Sequence, residues 1–201
     1  MNRTAILLCV AILLIMMLSP VLYTDAKSAI IPRNQTVSYQ LELQLNDPFI
    51  LEAEHIAPRI SKAFNVNQEK ALEVSGWIVD AYYLTGVEPG LLAALIQTES
   101  SYRYHVKSSV NAYGLAQVRP DYWNAICGDV KRPEVNVNCA AMILSQYEID
   151  CGSIGCALEM YNVGPSNVKR DRLRGARHRY LSKIERYYNR YLSIDLSGDN
   201  A

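Results

Sequence analysis

Between residues 67 and 99 the chain reads NQEKALEVSGWIVDAYYLTGVEPGLLAALIQTE, two helix-period segments placed back to back. Asn67 is a residue type that caps a helix start, and Glu69 suits the first turn. Ala71, Val74, Ile78, Ala81 and Tyr82 then share one face. Gly86 is placed to stop this helix, and Pro89 opens the next, since a first turn accepts proline. In the second segment Leu92, Leu95, Ile96 and Glu99 recur at i, i+3, i+4 and i+7. A pair of helices joined by so short a turn must bury one face against further helices. The pattern also puts a single carboxylate, Glu99, at the end of an apolar face.

The remainder of the C-terminal part continues in the same idiom. A helix is expected from about Val137 to Tyr147, with Ala140, Ala141, Ile143 and Leu144 on its apolar side. A short one covers GCALEMYN and ends at Gly164-Pro165. The last runs from about Arg177 to Tyr191, with Tyr180, Ile184, Tyr187, Tyr188 and Tyr191 at helical spacing. No comparable strand signal occurs there, so the fold class is mainly α.

The N-terminal part differs. No charge occurs between Arg3 and Asp25, and residues 5–18 are unbroken apolar sequence. Such a run fits a signal-peptide core, and counted through Tyr23 it approaches the roughly 20 residues that span a bilayer. The two readings, cleaved signal peptide or membrane anchor helix, both place the rest of the chain outside the cytoplasm, in the periplasm or held at the inner membrane. Residues 25–62 carry Pro32, Pro48 and Pro58 and read as an extension or linker, with TVSYQLELQLN as a short candidate strand. The domain organisation is therefore 1–24 signal or anchor, 25–62 extension, 63–192 main helical domain and 193–201 flexible tail.

Half of the 201 residues are hydrophobic and the formal net charge is +0, which excludes a disordered or generally nucleic-acid-like chain. Lys169 to Arg190 is locally basic and rich in tyrosine, but in an exported chain such a stripe attracts anionic wall polymer or a membrane, or is a solvated helix face. No nucleic-acid partner is expected. Of the five cysteines, Cys9 lies in the apolar run; Cys127, Cys139, Cys151 and Cys156 form an even set suited to two disulfides in an oxidising compartment. Three pairings are open, and Cys127–Cys139 with Cys151–Cys156 closes the shortest loops. The spacings do not suit zinc fingers, and none of His55, His105 and His178 adjoins the cluster, so no metal is expected.

Glu99 is the candidate for chemistry, although taken alone a carboxylate near a helix end ordinarily turns to solvent. A carboxylate on an apolar helix face loses hydration, which disfavours its charged form and raises its pKa. An acid kept protonated near neutral pH can protonate a glycosidic oxygen. The segments GVEPGLLAALIQTESSY, SSVNAYGLAQVRPDYW and ALEMYNVGP extend the pattern. They carry in order Glu99-Ser100, then Gly114-Leu115-Ala116-Gln117 closed by Pro120, then Tyr161-Asn162 before Gly164-Pro165. Ser108 lies nine residues after Glu99, and Gln117 eighteen. Over about residues 65 to 190 the chain resembles the lytic transglycosylases of the soluble-transglycosylase (SLT) type, within the lysozyme-like superfamily.

That resemblance implies a lysozyme-like fold, no cofactor, and peptidoglycan glycan strands as substrate. It implies Glu99 as the single catalytic acid and base. Ser108, Gln117, Tyr161 and Asn162 match residues that bind the N-acetylated sugars, and Tyr180 is the candidate for a late tyrosine facing the glutamate. Ala116, Met160 and Val163 depart from the residue types usual in those blocks. The implied reaction cleaves the β-1,4 bond between N-acetylmuramic acid and N-acetylglucosamine and leaves a 1,6-anhydromuramic end. It uses one carboxylate where most glycosidases use two.

Two other readings stand beside it. A hydrolase of goose-type lysozyme character would need a second acid to position water; Asp121, after Pro120, reads as a helix start. A non-catalytic cell-wall-binding component would use Gln117 and Asn162 as caps or turns and Tyr161 and Tyr180 as core aromatics. The small single domain resembles transglycosylases that serve a secretion, conjugation or phage-entry apparatus.

Overall fold

The computed structural model describes residues 48–196. They form eight helices: α1 (Pro48–Phe64), α2 (Gln68–Thr85), α3 (Pro89–Glu99), α4 (Pro120–Cys127), α5 (Pro133–Cys151), α6 (Ile154–Val163), α7 (Pro165–Lys169) and α8 (Arg174–Leu192). The expected signal or anchor helix and the short strand at residues 36–46 lie outside the described residues.

Caps fix the boundaries. The Asn67 side chain accepts from the backbone N–H groups of Glu69 (2.9 Å) and Lys70 (3.3 Å), and Gly86 ends α2 in the left-handed conformation at φ 75°. Glu88, which the sequence reading passed over, caps α3 by accepting from Gly90 N–H (2.9 Å) and Leu91 N–H (2.7 Å). Helix α5 is longer than its apolar pattern indicates, because Pro133 starts it and Gly152 stops it at φ 83°.

Helix α3 is the centre of the domain. Leu92 to Ile96 are all buried, including Ala93 and Ala94 off the expected face. A helix buried around its circumference needs neighbours on every side, and α1, α2 and α8 supply them. Helix α8 approaches so closely that a Cβ on Gly90 would lie 2.7 Å from the Tyr191 ring. Helices α2, α5 and α6 continue the packing outward.

The first helix revises the expected organisation. Residues 48–62, assigned to the extension, make up most of α1 and contribute Ile56 and Ile60 to the common core, with Ala63 just beyond them. Ala53, Ile56, Ala57, Ile60 and Ala63 share one face, and the helix continues through Pro58. The packed domain therefore begins before residue 63.

Candidate active site

Glu99 is the last residue of α3, half-buried at the floor of a cleft of about 650 Å³. Beyond it the chain leaves the helix through two left-handed residues, Ser101 (φ 51°) and Tyr102 (φ 60°). The Tyr102 ring is buried and its hydroxyl donates to the Ala93 carbonyl at 3.1 Å, which fixes the exit from α3.

The segment from Val106 to Val118 folds into tight turns that form one cleft wall. Backbone pairing of Tyr113 with Lys107 and Val118 shapes it. Asn136, in the first turn of α5, holds it in place. Its Nδ2 donates to Tyr113 O (2.9 Å) and Val130 O (2.8 Å), and its Oδ1 accepts from Ala116 N–H (2.8 Å). Gly114 stands at φ 78°, and a Cβ there would meet Asn136 Nδ2 at 2.9 Å, so glycine satisfies both the backbone and the close approach.

On this wall the Ser108 hydroxyl accepts from Ala112 N–H at 3.0 Å and keeps its own proton to donate. The Gln117 amide donates to Val106 O (3.2 Å) and Gly114 O (3.0 Å). With both amide hydrogens engaged, its oxygen is the group it can offer a ligand. From the other wall, α6 presents Tyr161 and Asn162; the Tyr161 hydroxyl bridges the walls by donating to Ala116 O at 2.8 Å.

Tyr180, the candidate expected to face the glutamate, meets it from behind and is not among the residues that line the cleft. It is buried behind Glu99 on α8 and donates its hydroxyl to Glu99 Oε1 at 2.5 Å. One turn on, Lys183 donates to the Thr98 carbonyl at 2.9 Å, placing an ammonium at the negative end of α3. Loss of hydration pushes the Glu99 carboxyl up to about 7, against the opposing pull of the Tyr180 hydrogen bond and the Lys183 charge. Burial and the neighbouring Glu99 raise the Tyr161 and Tyr180 hydroxyls well above the usual phenol range, so both remain donors.

The structure thus brings Glu99, Ser108, Gln117, Tyr161 and Asn162 to one cleft, with Tyr180 in contact from behind. Asp121 is elsewhere: in the first turn of α4 it accepts from Asn111 Nδ2 (2.6 Å) and pairs with Arg119 (3.2 Å). Among the described residues that line the cleft, Glu99 is the one carboxylate. Among the described residues, no group of three or more His, Cys, Asp or Glu is placed to hold a metal. The four cysteines form the pairs Cys127–Cys139, joining α4 to α5, and Cys151–Cys156, joining the end of α5 to α6.

A family model described as the transglycosylase SLT domain matches residues 78–181, more than half of the chain. The chain belongs to that family. The match includes every cleft residue named above, as well as Tyr180, and makes this SLT domain an enzyme of the glycosidic-bond-cleaving, lysozyme-like group that acts on peptidoglycan. It starts within α2, so α1 lies outside the matched segment.

Other cleft residues of the SLT domain were not singled out from sequence. Arg119, Tyr122 and Trp123 line it beside Gln117, and Tyr147 reaches it from α5. Tyr122 is 61% exposed under the Arg119 guanidinium, 4.2 Å from its ring centre, and Trp123 meets Tyr147 edge-on at 6.4 Å. The aromatic pair Tyr122-Trp123, just after Pro120-Asp121, was the available signal for this wall. Nothing in the spacing of Tyr147 marks it.

Proposed function

We propose that this SLT domain is a lytic transglycosylase in which Glu99 serves first as acid and then as base. The observation that carries the reading is a lone cleft carboxyl pushed up to about 7 and held by Tyr180. A glycosidic oxygen seated over Glu99 receives its proton as the bond to C1 of N-acetylmuramic acid breaks, releasing N-acetylglucosamine as the leaving alcohol. The substrate's own 2-acetamido oxygen stabilises the electron-deficient C1. Glu99, now ionised, accepts the proton of the C6 hydroxyl as that oxygen bonds to C1, closing the 1,6-anhydro ring. The carboxyl ends the cycle protonated, and no water is consumed.

Tyr180 and Lys183 favour the ionised form, while loss of hydration favours the neutral one. A pKa near the working pH suits a group that must both give and take a proton. Ser108, Gln117 and Asn162 supply the donor and acceptor groups for acetamido and hydroxyl substituents, and Tyr122, Trp123 and Tyr147 supply apolar faces for sugar rings. The apolar run at residues 5–18 and the two cysteine pairs support an exported, periplasmic enzyme.

Mass spectrometry of muropeptides released from purified peptidoglycan tests the reading. Anhydromuramyl products from the wild-type chain, and none from Glu99→Gln, are expected. Products one water heavier, with a reducing muramic end, would establish hydrolysis instead.

A further inference from the structure

A second cavity, of about 490 Å³, lies across α6 and α8 from the catalytic cleft. Its floor is apolar: Leu91 of α3, Ile154 and Leu158 of α6, and Leu181, Ile184 and Tyr188 of α8. On α6 the two inward residues sit at i and i+4, while Tyr161 and Asn162 of the same helix face the cleft. Helix α8 is shared in the same way: Leu181, Ile184 and Tyr188 line the cavity, while Tyr180 and Lys183 reach Glu99 and Thr98.

Around this floor stand three carboxylates, Glu88, Glu148 and Glu185, and no Lys or Arg of the described residues lines the cavity. Glu88 is committed to capping α3. Glu148 and Glu185 are exposed and, among the described residues, have no ion-pair partner. Leu84 and Ile149, close in sequence to lining residues, are 71% and 76% exposed. Three of the chain's twenty acids stand around this apolar hollow, while the nine Lys/Arg between Lys169 and Arg190, six of them on α8 itself, stay out of its lining.

We propose that this groove is a docking site for a basic amphipathic helix of a protein partner. Apolar side chains at i and i+3 or i+4 of the partner would fill the hollow, in the helix-in-groove manner. Lys or Arg flanking them would meet Glu148 and Glu185. A small neutral apolar ligand would gain nothing from the acidic rim, and an acidic segment would be repelled by it. The site differs from the glycan cleft in its lining, its charge and its face of the domain. Its occupant would rest on the back of the helix that holds Tyr180 against Glu99.

The probe is a synthetic 14-residue Leu/Lys amphipathic helix, titrated into the full chain by calorimetry, with a Leu/Glu helix of the same pattern as control. Saturable 1:1 binding of the Lys peptide is expected, with hydrogen-exchange protection at residues 86–91 and 181–188. Glu148→Lys/Glu185→Lys should weaken it about tenfold, since two exposed attractions become two repulsions. Both substituted positions are exposed, so this variant should keep its fold and basal turnover. Equal binding of the Glu peptide, affinity unchanged by the double charge reversal, protection confined elsewhere, or no saturable binding would each overturn the proposal.

Discussion

At the scale of single residues, the account rests on how Glu99 is held. Because the free enzyme must present a protonated acid, kcat/KM should fall as pH rises through about 7, where the carboxyl ionises. A profile of turnover against pH on soluble glycan strands checks this; a limb near the ordinary carboxylate value would remove the role assigned to burial. Tyr180→Phe removes a hydrogen bond that favours the ionised form, so the alkaline limb should move to higher pH. A bond to a charged group contributes about 1.5–3 kcal/mol, which corresponds to a shift of about one unit or more and a rate loss of about 10–100-fold. The same logic has a stability sign. A carboxyl whose pKa is raised by folding costs stability as pH climbs from 4.5 towards 7, and the cost is in full force above that range. Glu99→Gln should therefore raise Tm at pH 8 and have little effect at pH 4, an inactive enzyme more stable than the active one.

That Glu99, Ser108, Gln117, Tyr161 and Asn162 meet in one cleft was legible because they belong to short blocks of recognisable order and spacing. Tyr180 was legible only as a neighbour of the glutamate, since nothing in its helical period says whether a tyrosine faces a cleft or seals its floor. Lys183 was not legible at all. Its importance comes from meeting the end of a helix 85 positions away in sequence.

At the scale of elements, caps carried most of the information. Asn67, Gly86 and Pro89 mark α2 and α3 in sequence and do so in space. The apolar period identified α5 but understated its length, because its outer turns are exposed and only Pro133 and Gly152 mark them. The loop wall from Val106 to Val118 has no period. It is held by Asn136, a side chain that sequence offers no reason to single out. The cysteine pair at this wall gives the element-scale prediction. Cys127–Cys139 closes a loop with sequence separation 12, for which chain entropy gives about 3 kcal/mol. Replacing both cysteines with alanine should lower unfolding stability by about 2–3 kcal/mol in urea titration. It should also raise KM more than it lowers kcat, since α4 carries Trp123 and Tyr122 into the cleft while Glu99 stands on α3.

At the scale of the whole molecule, the domain is larger than its matched segment. The family match begins at residue 78, yet Ile56, Ile60 and Ala63 of α1 are part of the same core. The sequence conceals this because Pro58 interrupts a stretch whose apolar spacing is otherwise helical, and an interior proline ordinarily argues against a helix. A truncation beginning at residue 66 exposes the α2 surface that α1 covers. It also loses the burial of Ile56 and Ile60, each contributing about 1.5–3 kcal/mol where fully buried, and the smaller contributions of three buried alanines. The sum rivals the about 5–15 kcal/mol that hold a typical domain together. A chain starting at residue 66 should be unfolded by circular dichroism, while one starting at residue 47 should fold and retain activity. Equal stability of the two would show that α1 is dispensable.

In the proposed mechanism the C6 hydroxyl of the sugar, and not water, closes on C1 under the control of Glu99. Digestion of purified peptidoglycan in water enriched in heavy oxygen, followed by mass spectrometry of the muropeptides, tests it most directly. Anhydromuramyl ends that carry no heavy oxygen are expected. Reducing muramic ends labelled at C1 would contradict the mechanism and make Glu99 the acid of a hydrolase.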